Sequence, residues 1–215
     1  IGIGLKGETG VNEFQAPWVA NYELSDYPGT VHQDGVQAMI DMIRGSKETI
    51  TIIGISPAPN LLHALKIAPD IAPKCRFIGM FGSVDRGYGD DSAPIAETNV
   101  REDVAAARAI FAAPWKEIII TPLDTCDRAI LRGEHYQRVR QSNDALMQAV
   151  IENYRVWGGL VTWMTVDFFE ERSSTLFDTV AVYLAYSQEL LNIEPLRLSI
   201  TDDGTLSIGN DFTVS

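Results

Sequence analysis

Thr49-Ile-Thr-Ile-Ile-Gly-Ile55 is β-branched and almost continuously apolar. A short run of this kind suits a strand covered on both faces, as the strands of a parallel sheet are. Two more runs read the same way, Arg76–Phe81 and Glu117–Thr121. Helical patterns separate them. Val31–Arg44 places Val36, Met39, Ile40 and Ile43 on one stripe and is stopped by Gly45-Ser46. Leu61–Ile67 follows the turn Ser56-Pro-Ala-Pro-Asn60, and Arg101–Ala113 has consecutive alanines with Ile110-Phe111 near its end. Strand and helix in alternation predict an α/β fold, with a mostly parallel central sheet flanked by helices in an open, Rossmann-like arrangement.

Outward from this centre, Ile1-Gly-Ile-Gly4 reads as a strand end. Leu5–Thr30 follows with no sustained period; at about 26 residues it is long for a connection, and loops of that length are usually functional. Downstream, Asp127 to about Asn192 turns helical. Ala145–Phe169 gives one long helix or two broken near Gly158-Gly159, and Phe177–Leu191 gives another. Leu196–Thr201, the turn Asp202-Asp203-Gly204 and Thr205–Ile208 read as a hairpin. No repeat interrupts the pattern, which predicts one domain over residues 1–215.

The composition narrows the function. With 46% hydrophobic residues the chain can bury a core, so disorder is excluded. Seventeen Lys+Arg against 29 Asp+Glu give a net charge of −12. That field repels phosphate backbones and argues against a nucleic-acid polymer, while a neutral ligand or a cation stays possible. No apolar stretch reaches the ~20 residues of a membrane-spanning helix, and no signal peptide is visible, so a soluble, cytoplasmic protein is expected. Cys75 and Cys126 are too far apart in sequence for a metal-ligand pair; Cys75 reads as a small buried hydrophobe.

In an open α/β sheet the binding crevice lies at the carboxyl ends of the strands. After the first strand comes Ser56–Asn60. After the second come Met80–Asp85, Asp90-Asp91 and Ala96-Glu97-Thr98-Asn99, and after the third Pro122–Asp127. Carboxylates and amides without imidazole or thiolate pairs favour a hard cation over Zn²⁺. Each residue also has a structural alternative. Asn60 can cap the helix after it, Glu97 and Asn99 can flank a helix start, and Asp85, Asp90 and Asp91 can be a solvated loop. Asp178 can cap a helix or point its carboxylate at a cation. His32, His63 and His135 stand beside no Ser or Cys nucleophile, so a triad finds no support, and Gly2, Gly4, Gly7 and Gly10 make no dinucleotide fingerprint.

Taken in order, the motifs resemble the inosine/uridine-preferring nucleoside hydrolase family. Gly54-Ile-Ser-Pro-Ala-Pro-Asn60-Leu-Leu is similar to the family's Gly-Pro-Leu-Thr-Asn-Leu segment, and Ile78-Gly-Met80-Phe-Gly to its Met-Gly-Gly strand end. Ala96-Glu97-Thr98-Asn99 with Asp103 and Ala106-Ala resembles Ala-Glu-Phe-Asn followed by Asp-Pro-Glu-Ala-Ala. Leu123-Asp124-Thr-Cys-Asp-Arg-Ala129 resembles Leu-Asp-Val-Thr-His-Gln-Ala, and Phe177-Asp178-Thr-Val-Ala181-Val the family's His-Asp-Pro helix start. The resemblance implies hydrolysis of the N-glycosidic bond of ribonucleosides, with water activated on a bound Ca²⁺. It makes Asp178 and the carbonyl of Pro59 calcium ligands, and has Glu97 and Asn99 hold ribose hydroxyls. It packs Met80 against the sugar and sets Asp91 where the family has a ribose-binding Asn. A homo-oligomer is implied as well.

The chain departs from the family in several places, an insertion of about three residues between Met80 and Glu97 among them. No Asp-x-Asp-x-x-x-Asp-Asp cluster opens it, Phe177 stands where the family has a leaving-group His, and Asp127 replaces the other His. The resemblance therefore implies part of a longer hydrolase, incomplete at both ends. The alternatives are a non-catalytic relative that binds or scaffolds, and a hydrolase of some other ribosyl compound.

Overall fold

A computed structural model describes residues 1–5, 14–89, 93–162 and 168–214. They fall into two compact units, one made of Ile1–Thr9, Thr30–Arg128 and Phe177–Ser215, the other of Gly10–Gly29 and Ala129–Leu176.

The first unit opens with α1 (Gly35–Gly45), β1 (Ile50–Gly54), α2 (Pro59–Ile67), a 3₁₀ stretch at Pro69–Lys74 and β2 (Cys75–Gly79). It continues through α3 (Thr98–Arg101), α4 (Val104–Ala112), β3 (Glu117–Ile120) and α5 (Leu123–Cys126). The second unit carries 3₁₀ turns at Ala16–Val19 and Leu24–Asp26, then α6 (Gly133–Arg140), α7 (Ala145–Leu160) and α8 (Phe168–Glu171). The first unit resumes with α9 (Phe177–Leu184), β4 (Leu196–Ile200), β5 (Leu206–Ile208) and β6 (Phe212–Val214).

The three β-branched runs form the expected parallel sheet in the order β1-β2-β3. Ile50 to Gly54 pair with Cys75 to Gly79, and Arg76 to Gly79 pair with Glu117 to Ile120. The middle strand is the driest: Cys75, Phe77 and Ile78 are fully buried. β1 corrects the expectation of a strand covered on both faces. Ile50 and Ile52 pack against the cluster of Val36, Ile40, Ala64 and Ile71 that α1, α2 and the 3₁₀ stretch supply. Ile53, on the opposite face of this edge strand, is 38% exposed.

The terminal hairpin is present and larger than expected. β6 joins β4 on the side away from β5, giving an antiparallel sheet in the order β5-β4-β6. Three residues are too few for a period to register, so this strand has no signature in the sequence. Leu198, Leu206 and Val214 share a core with Phe77, Phe81, Val100, Ile110 and Phe111.

Helix boundaries differ from the periodic reading in several places: α1 starts at Gly35 rather than Val31, because Asp34 caps it by accepting from Gln37 N at 2.9 Å. The 101–113 stripe splits, because the Asp103 carboxylate accepts from Ala106 N at 2.9 Å and caps α4. Gly158 and Gly159 lie inside α7, which ends at Leu160. α9 stops at Leu184, short of Leu191. At the N-terminal end, Ile1–Gly4 contributes a single bridge between Gly2 and His32 in place of a strand. Asn60 is no cap: Ala58 precedes α2, and the Asn60 Oδ1 accepts from Leu5 N at 2.5 Å. No helix of the described residues is long and apolar enough to cross a membrane.

Candidate functional site

Met80 follows β2 and extends the ladder through its N–H to Gly54 O at 2.9 Å. Asn99, in α3, donates its amide to Met80 O at 2.9 Å and lies 3.3 Å from the Met80 sulfur. Glu97 begins this arrangement as the N-cap of α3. Its side chain is almost wholly buried, at 2% exposure. Oε1 accepts from Asn99 N at 2.8 Å, and Oε2 from Gly82 N at 3.0 Å and Val100 N at 3.3 Å. Of the two capping readings, Glu97 is the cap of α3, while Asn99 is turned toward the end of β2 by its bond to Met80 O.

Burial pushes the Glu97 carboxyl up, and the backbone donors of Asn99, Gly82 and Val100 pull against it. Gly82 is required there. Its φ of +84° belongs to the left-handed region, and a Cβ would sit 2.1 Å from Leu206 Cδ1.

The stretch from Gly82 to Gly89 is tied down from the end of β3. Asp124 accepts from the backbone N–H groups of Val84, Asp85 and Arg86 at 2.9, 2.7 and 3.1 Å, and Asp127 accepts from Gly89 N at 3.0 Å. Ser83 adds a bond to Arg86 O at 2.6 Å and accepts from Ile95 N at 3.0 Å. Two carboxylates of the crevice are therefore loop anchors. Asp85 is exposed, in line with a solvated loop.

Tyr88 is brought to the site by this loop, and nothing in the sequence marked it. Its ring meets Phe177 edge to face, with centroids 5.8 Å apart and planes at 81°. Its hydroxyl is 3.1 Å from Thr98 Oγ1, the residue between Glu97 and Asn99. Burial pushes its phenol up.

Asp178 stands in the first turn of α9, half-buried. Burial raises its carboxyl, and among the described residues no hydrogen bond or ion pair reaches it. α9 packs against β1, β2 and α5, and Phe177 and Ala181 share a cluster with Met80, Ile78 and Cys126. The buried Cys126 thiol is pushed up by burial first and then by the charge of Glu97, with Asp127 and Asp178 adding to it.

Pro59 is the first residue of α2. Asp90 and Asp91 lie outside the described residues. Calcium takes six to eight oxygen ligands. Among the described residues no group of three or more His, Cys, Asp or Glu could hold a metal ion. Asp178 and the Pro59 carbonyl alone do not make a cage for one.

Comparison with known proteins gives a consistent result. The family model described as "Inosine-uridine preferring nucleoside hydrolase" matches residues 4–214. The non-specific ribonucleoside hydrolase RihC of Escherichia coli (strain K12 / DH10B) is 30% identical over 175 residues, covering 80% of this chain and 53% of that protein. RihC of Shigella boydii serotype 18 (strain CDC 3083-94 / BS512) is 25% identical over 175 residues with the same coverage. The chain thus spans about half the length of the curated relatives it matches. Among solved structures, the inosine-uridine preferring nucleoside hydrolase from Bacillus anthracis superposes with a TM-score of 0.75 at 16% identity, over 99% of this chain and 72% of that one. The purine-preferring ribonucleoside hydrolase from Gardnerella vaginalis gives 0.74 at 19% identity with the same coverage. At these identities the likeness is one of fold.

Proposed function

From the premise that this chain belongs to the inosine-uridine preferring nucleoside hydrolase family, we propose that it hydrolyses the N-glycosidic bond of ribonucleosides, releasing ribose and a base. The observation that carries this reading is the Met80–Glu97–Asn99 unit at the end of β2, with the half-buried carboxylate of Asp178 on the neighbouring α9. Three residues have side chains suited to a ribose. Glu97 supplies an acceptor carboxylate, Asn99 an amide oriented by Met80 O, and Met80 an apolar side chain, all three buried. Carboxylates held before the substrate arrives stabilise the positive charge that develops on the sugar as the bond to nitrogen breaks. The similarity to RihC supports a broad choice of base.

The ion proposed is Ca²⁺. Asp178 and the Pro59 carbonyl would be this chain's contribution to it, and the described residues do not supply its other oxygens. We read residues 1–215 as one nucleoside-hydrolase-like domain of a cytoplasmic homo-oligomer, with a small ribosyl compound and no nucleic-acid polymer or membrane as its partner. The test is ribose release from inosine, adenosine, uridine and cytidine, with calcium and with a chelator. Release that the chelator abolishes supports the proposal; no release from a folded sample contradicts it.

A second reading, a relative that binds ribosyl compounds without cleaving them, is favoured by Phe177, an aromatic ring with no acid–base group directly before Asp178. Saturable nucleoside binding without ribose release would favour it.

A further inference from the structure

We propose that Tyr88 donates the proton to the departing base, from an aromatic corner that it forms with Phe177 beside the Glu97–Asn99 turn. The inference rests on the reading of the site as a ribonucleoside hydrolase. When an N-glycosidic bond breaks, its electron pair goes to nitrogen, and a purine or pyrimidine leaves far more readily if that nitrogen is protonated as it goes.

The groups gathered at the site narrow the choice of donor. The Glu97 oxygens accept from Gly82, Asn99 and Val100 N–H, so this side chain serves as an acceptor. The Asn99 amide nitrogen is committed to Met80 O. Thr98 Oγ1 faces the Arg101 guanidinium at 3.4 Å, a donor, and the Tyr88 hydroxyl at 3.1 Å. Tyr88 is 41% exposed as a residue, so a ligand can reach part of its side chain. Its neighbour Phe177 directly precedes Asp178, and its partner Thr98 lies between Glu97 and Asn99. One side chain thus touches both segments that carry the site. The two rings stand nearly perpendicular, and a flat heteroaromatic base can stack on one while meeting the edge of the other.

Burial raises the phenol and the Thr98 hydrogen bond pulls against it; of the charges facing it, Glu97 raises it and Arg101 lowers it, and the net direction is up. The phenol therefore keeps its proton at neutral pH and gives it up only to a nitrogen made basic by bond breaking. In the step, the bond from the sugar carbon to nitrogen breaks with its pair going to nitrogen. The phenol proton moves to that nitrogen, water adds its oxygen to the sugar carbon, and the proton water loses returns to the phenolate.

The test compares wild type with Tyr88→Phe, which keeps the ring and its packing on Phe177, on inosine and on p-nitrophenyl riboside. The second substrate leaves as a stabilised phenolate and needs no proton. The expected result is a loss of about 100-fold or more in kcat on inosine, and of only a few-fold on p-nitrophenyl riboside. Equal loss on both substrates, or no loss on inosine, overturns the assignment while leaving the hydrolase reading in place. Ribose release from neither substrate by wild type overturns both. A separate binding measurement asks whether Tyr88→Phe weakens free hypoxanthine about tenfold, the removal of one hydrogen bond; unchanged hypoxanthine binding also counts against Tyr88.

Discussion

The carboxylates of Glu97 and Asp178 are both raised by burial but differ in their surroundings. Glu97 has backbone N–H donors on both oxygens, whereas among the described residues Asp178 has no hydrogen-bond partner. A carboxylate whose folded pKa lies above its unfolded value supports the fold fully below the unfolded value, and that support is lost as pH rises through the folded one. In chelator at pH 7, Asp178→Asn is therefore expected to raise the melting temperature, by about 2–4 °C for each kcal/mol of burial cost relieved. The gain should shrink as pH falls through the raised folded value and vanish below the ordinary aspartate value, where wild type is protonated in both states. A melting temperature that falls at pH 7 would show that the charge is matched by a partner. For Glu97, Gln keeps the shape but has only one acceptor oxygen for the N–H groups of Gly82, Asn99 and Val100. Glu97→Gln is expected to lower ribose release by about 100-fold or more, in the range of a lost preorganised electrostatic contact, and kcat and KM on inosine would show it.

Elements carry the site through two backbone fits that side-chain patterns do not display. Gly82 faces Leu206 of β5, and Gly204, with φ +89°, would place a Cβ 2.7 Å from Arg101 Cα. The hairpin turn and β5 thus press on the segment that holds Glu97, which Ala96 also joins to Thr205 by a bridge. Gly82→Ala is expected to cost about 1–3 kcal/mol from the positive φ alone, more with the clash, and to lower ribose release. Gly159→Ala, inside α7 with nothing within 4 Å of its Cβ, is expected to stabilise by roughly 0.5–1 kcal/mol. Denaturant unfolding of both variants checks the contrast, which a stabilised Gly82→Ala or a destabilised Gly159→Ala would overturn.

This scale also shows what the sequence could tell. The three parallel strands were legible because β-branched runs register locally. The break at Asp103 was hidden because a capping side chain leaves the apolar stripe intact across it. β6, at three residues, offers no period. Asn60 looks like a cap in sequence and serves as a tether for Leu5, a tertiary choice. Glu97, Asn99 and Asp178 stand out in the sequence as polar residues after a strand or at a helix start, their roles and those of Met80 and Pro59 rest on family resemblance, and Tyr88 is placed only by the folded loop.

At the scale of the whole molecule, the outer edge of β1 has no strand partner among the described residues, and Ile53 and Ile55 beside it are 38% and 42% exposed. An open apolar edge pairs with other chains. The protein is expected to self-associate in light scattering, and Ile53→Lys, a charge on that strand, to shift it toward monomer. A monodisperse wild-type monomer would contradict this. The family match runs over residues 4–214 while the curated relatives extend to about twice the matched length. The activity of this chain is therefore the central matter to test. The most direct measurement is ribose release from inosine in calcium by wild type and Asp178→Asn side by side. The account predicts release by wild type that Asp178→Asn abolishes, and release undiminished in Asp178→Asn would contradict it.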